Sequence, residues 1–153
     1  MARFRFNLQK VLEAREALEQ KARREFGEAQ RRLLDRKKSL NNIISRREQL
    51  HLEMSHRRKQ KMPVRFFKDD IDYDFQLKLE IKSRRKQVDQ AAKELEKKRR
   101  KLLQAMKDRK MMEKLRERRL EEFKKEIADQ EAKFADDLAG RKAFFSGRGE
   151  FNI

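Results

Sequence analysis

The stretch Arg57-Arg58-Lys59-Gln60-Lys61-Met62-Pro63-Val64-Arg65-Phe66-Phe67-Lys68-Asp69-Asp70 holds the single proline of the chain, and its reading decides the fold. A proline pushes the residue before it out of the helical region, so a helix arriving from the amino-terminal side must stop by Met62. The cations of residues 57–61 suit the negative end of that helix's dipole. Asp69 can cap a second helix, and Asp70, Asp72 and Asp74 place negative charge in its first turns. The segment therefore reads as a reversal between two helices, with the turn at about 62–68.

Outward from the turn, helix breakers are almost absent: the chain has four glycines, at 27, 140, 147 and 149. Towards the amino terminus, apolar residues recur at steps of three and four. The stripe runs Leu8, Val11, Arg15, Leu18, Ala22, then Phe26, Ala29, Leu33, then Leu40, Ile43, Arg47, Leu50 and Met54, with a stutter expected near Phe26–Leu33. Asn7 is a good N-cap, and Phe6 can staple onto Val11. Towards the carboxyl terminus a second stripe alternates strictly through Ile81, Arg85, Val88, Ala92, Leu95, Arg99, Leu102, Met106 and Arg109, and continues to Leu120, Phe123, Ile127 and Phe134. Leu138 extends it and Gly140 is expected to end it. Arginines at such positions can lay their stems along the seam while the charged heads reach water.

The pattern predicts an all-α fold: two long antiparallel helices forming a coiled-coil hairpin, the second longer. The expected boundaries are a hairpin over 1–139, with helices at about 7–61 and 69–139, and a flexible tail over 140–153 carrying Phe144, Phe145 and Phe151. A turn centred near Arg65 sets Leu8 opposite Phe123, given equal rise in both helices. Beyond Phe123, Ile127, Phe134 and Leu138 then have no partner from the first helix. An uncovered apolar stripe marks a docking surface.

Composition narrows the function classes. The chain is 46% charged and 37% hydrophobic, too polar for a compact enzyme and too periodic for simple disorder. Its formal charge is +17, and a cationic rod favours acidic partners. It has no cysteine, which excludes disulfides and thiolate chemistry. His51 and His56 stand five apart and do not share a helix face as metal ligands would. The aspartates of 69–74 lack the glycine and distal glutamate of a calcium loop. No glycine-rich phosphate loop or serine triad is present. No enzyme, cofactor or metal is expected. Neither a secretory leader nor a membrane span is expected, and the location expected is cytoplasmic. The basic run Lys97-Lys98-Arg99-Arg100-Lys101 keeps open a nucleic-acid-binding coil, or a spacer, as alternatives, although no aromatic platform accompanies it.

The opening Phe4-x-Phe6-x-Leu8-x-x-Val11-Leu12-x-x-Arg15-x-x-x-Glu19 resembles the start of the FliJ family of flagellar export proteins. So does the closing stretch Glu113-Lys114-Leu115-x-Glu117-Arg118-Arg119, with Phe123-Lys124-Lys125-Glu126 and Gln130-Glu131-x-Lys133-x-x-Asp136-Asp137. The family commonly has Asp-Glu where this chain has Asp136-Asp137.

The resemblance implies a component of the type III apparatus that exports flagellar proteins, similar in shape to the central stalk of rotary ATPases. The implied partners are the hexameric export ATPase, the membrane export gate and export chaperones; no nucleic acid is expected. The implied place is the cytoplasmic face of the inner membrane. On this reading Phe4, Phe6, Ile127, Phe134 and Leu138 are candidates for ATPase binding. Near the turn, Ile44, Arg47, His51, Phe75, Leu79, Lys82 and Lys86 are candidates for gate binding, with Phe75 and Leu79 alternatively closing the end of the coil.

Overall fold

The computed structural model describes residues 2–61 and 63–148, and it is a helical hairpin. Helix α1 spans Gln9–Lys59 and helix α2, the longer, spans Val64–Arg148. No strand occurs among the described residues. The chain divides into a turn-containing unit, 17–106, and a termini-containing unit, 1–16 with 107–153.

In the turn-containing unit, α1 closes with Gln60 N–H donating to the Arg57 carbonyl, and Lys61 takes a left-handed φ of 49°. Pro63 starts α2 directly, its carbonyl accepting from Phe66 N–H. The expected start at Asp69 is therefore wrong. A proline lacks only an N–H that the first turn of a helix leaves unused, and its fixed φ suits the helix start. α1 also ends at Lys59, two residues before the expected 61, while α2 begins at Val64, five before 69.

These shifts move the pairing register by seven residues. Glu25 meets Lys98, Arg36 meets Gln87 and Ser39 meets Arg84, pairs whose numbers add to 123, where a turn centred at Arg65 gives 130. The core is a cluster of Ile43, Leu50, Met54, Leu77 and Ile81, with Leu40 and Ile44 packed against it.

The expected stutter is absent. The inward positions of this unit's α1 run Glu19, Ala22, Phe26, Ala29, Leu33, then Leu40, Ile43, Arg47, Leu50 and Met54, an unbroken repeat. Glu19 takes the seam place assigned to Leu18, which is 53% exposed. On α2, Ile81, Val88, Leu95 and Leu102 face inward as expected, but Arg84, Ala91 and Lys98 alternate with them in place of the exposed Arg85, Ala92 and Arg99.

In the termini-containing unit, Leu12 is buried, where Val11 was expected, and Arg15 reaches Asp108 at 3.2 Å. Helix α1 begins after a turn in which Gln9 N–H donates to the Phe6 carbonyl; its first helical bond joins Leu12 to Leu8, one residue past the expected cap, Asn7. Residues 2–6 are not helical. α2 does not stop at Gly140 but continues to Arg148. An interior glycine costs about 1 kcal/mol, which neighbours such as Leu138, Ala139, Arg141 and Lys142 tolerate. Of the expected tail, Gly149–Ile153, with Phe151, lies outside the described residues.

Candidate functional site

Two surfaces gather the candidate residues. In the turn-containing unit a groove of about 560 Å³ brings together Ile44, Arg47, His51, Lys82 and Lys86. Arg85 and Lys78 add positive charge to it, and Glu48 and Asp89 oppose them. Ile81 belongs both to this lining and to the core, so the floor is apolar.

Two of the lining residues share one carboxylate: Asp74 accepts hydrogen bonds from Arg47 Nε at 2.8 Å and from His51 Nε2 at 2.7 Å. The Arg47 bond leads in holding the Asp74 carboxyl below its ordinary pKa, and burial opposes it. The network fixes the directions of Arg47 and His51, whose stems cross from α1 towards α2.

Phe75 and Leu79 are not among the groove's lining residues. They are 58% and 49% exposed, while Leu77 and Ile81 fill the core. Of the two roles weighed for Phe75 and Leu79, closing the coil thus belongs to Leu77 and Ile81, one helical turn apart on another face. Lys78, Arg85, Glu48 and Asp89 were not anticipated as groove residues. Arg85 was missed because it was assigned to the seam.

In the termini-containing unit, Phe4 packs on Phe123, ring centroids 5.6 Å apart and planes tilted by 52°. Phe6 and Leu8 line a groove with Leu115 and Arg119 on α2. Phe123 thus meets Phe4, not Leu8, as the shorter turn requires. Beyond it, among the described residues, Ile127 alone is half-buried and everything else through Arg148 is exposed. Phe134 is 66% and Phe145 69% exposed; Leu138 is also exposed. Residues 124–148 therefore present roughly 37 Å of helix with an uncovered apolar stripe. Phe4, Phe6 and Ile127 are drawn together near Phe123, with Phe134 and Leu138 further along the same helix.

The basic run is largely answered from within. Arg99 and Arg100 both donate to Glu96, and Arg99 leads in holding that carboxyl at about 2. Lys98 reaches across to Glu25 at 3.2 Å, and its hydrogen bond is the main cause of the lowered Glu25 pKa. Among the described residues no cluster could hold a metal ion, and no helix is long and apolar enough to cross a membrane.

A family model described as "Flagellar FliJ protein" matches residues 4–148. The chain belongs to the FliJ family. FliJ membership connects the protein with flagellar protein export, in a non-catalytic family. The match spans both the amino-terminal segment that holds Phe4 and the exposed end of α2, so both candidate surfaces are parts of the FliJ region. No curated protein and no solved structure matches the chain.

Proposed function

We propose that this FliJ-family protein couples the hexameric export ATPase to the membrane export gate and assists export chaperones, acting at the cytoplasmic face of the inner membrane. The observation that carries the reading is the stripe of the half-buried Ile127 with the exposed Phe134 and Leu138. It lies on one helix with Phe123, against which Phe4 is packed, so an ATPase ring can engage helix and amino-terminal segment together. A single asymmetric hairpin inside a ring contacts the subunits unequally and favours their nucleotide states in turn. Such coupling requires differential contacts and not occupancy alone.

The groove of Ile44, Arg47, His51, Lys82 and Lys86, with the exposed Phe75 and Leu79 beside it on α2, is the surface assigned to the gate. The nucleic-acid alternative has less support, since Lys98, Arg99 and Arg100 already serve carboxylates of the chain itself.

Adding the chain to purified export ATPase should raise ATP turnover, and Ile127→Glu with Phe134→Glu should abolish the increase. Turnover unaffected by the pair would remove the assignment of this end to the ATPase. Phe75→Ala with Leu79→Ala should lower recovery of gate protein in a pull-down while leaving ATPase stimulation in place; unchanged recovery would remove these two residues from the gate surface.

A further inference from the structure

Two features of the exposed end of α2 bear on a partner. Residues 124–148 carry Lys124, Lys125, Lys133, Arg141, Lys142 and Arg148 against Glu126, Asp129, Glu131, Asp136 and Asp137, nearly neutral in a chain of net +17. Elsewhere two copies repel; here they need not. The outward stripe is also symmetric in sequence. Ile127, Glu131, Phe134, Leu138, Arg141 and Phe145 are spaced four, three, four, three and four residues apart, and the spacing of apolar and charged places is the same from either end about Asp136.

We propose that this segment pairs with a second copy of itself as an antiparallel two-helix coil with its dyad at Asp136. Reversal about that point sets Ile127 against the second copy's Phe145, Phe134 against its Leu138, and Glu131 against its Arg141. Every layer is then apolar on apolar or acid on base. Because the interface is isologous, each pairing occurs twice. Spacings of three and four keep the stripe on one face over roughly 27 Å, about five helical turns.

Ala128 and Ala135 follow Ile127 and Phe134 along the helix, so no long side chain at those places holds the backbones apart. Phe134, Leu138 and Phe145 are exposed in the single chain and available to such a partner. Asp137 meets its own copy beside the dyad, a like-charge pair near solvent that keeps the association weak and reversible. Self-pairing covers the same apolar residues that are assigned to the ATPase, so the dimer is a resting form that the ring displaces.

The test is sedimentation equilibrium of the whole protein over a concentration series reaching hundreds of micromolar. Wild type should show a monomer–dimer equilibrium. Glu131→Arg and Arg141→Glu should each weaken it about tenfold or more, since each replaces two attractive contacts with two repulsive ones. The double exchange Glu131→Arg with Arg141→Glu should restore it. Circular dichroism of each variant checks that the helix is intact. A monomer at every concentration overturns the proposal, as does a dimer indifferent to both single exchanges or a double exchange that fails to restore pairing. These variants keep Ile127, Phe134 and Leu138, so they test self-association without removing the apolar face assigned to the ATPase.

Discussion

Glu19 is 3% exposed, at a position whose neighbours along the seam are apolar or half-buried. Arg23 donates to it at 2.7 Å from the same helix, while the guanidinium itself stays about half in water. Burying a carboxylate costs hydration that its partners in the fold must return, and replacing a buried ion pair by apolar groups of similar size is often neutral or stabilising. Glu19→Leu should raise stability by about 1–2 kcal/mol, read as a higher midpoint in thermal unfolding followed by circular dichroism. A lower midpoint would show that the partners of the carboxylate return more than its burial removes. Glu19 also marks where reading by hydrophobicity fails. Leu18 beside it is the more apolar residue, and choosing it is what introduced a stutter that the helix does not have.

At the scale of the element, the two helices and the reversal between them were legible from one proline and two stripes. The phase of the second stripe was not. Ile81, Val88, Leu95 and Leu102 fix one residue per heptad, and the alternate position lies either three or four residues further on. The choices are Arg84 or Arg85, Ala91 or Ala92, and Lys98 or Arg99, neighbours of nearly equal character. Composition cannot separate them; only the partner helix can.

The register was hidden for a different reason. The sequence reading places Pro63 inside a turn at about 62–68 centred near Arg65, yet a proline serves equally well at a helix start. The seven-residue difference is testable because the chain lacks cysteine. Cysteines introduced at Arg36 and Gln87 should be joined by a short bifunctional maleimide, and cysteines at Arg36 and Glu94 should not. Joining of the second pair alone would restore the longer turn. Of the candidate site, the groove was found through five of its residues, while Phe75 and Leu79 proved to be outside its lining because Leu77 and Ile81 hold the core.

For the whole molecule, order of assembly follows from the tight reversal at Lys61 and Pro63. Arg57 and Asp70, joined next to it, are 13 residues apart in sequence, while Arg15 and Asp108 are 93 apart. Loop-closure entropy rises with the length enclosed, so the early contacts are the cheap ones. The cluster of Ile43, Leu50, Met54, Leu77 and Ile81 sits among those early contacts and supplies the first substantial burial. Folding then advances like a zipper from the bend, and loosening begins with the residues whose mates are most remote. Native-state amide exchange should report slowest opening around Leu50 and Leu77 and faster opening around Leu12 and Met112. A uniform rate would mean that the chain opens all at once. A graded one would leave the far contacts free to part and rejoin while the bend stays closed.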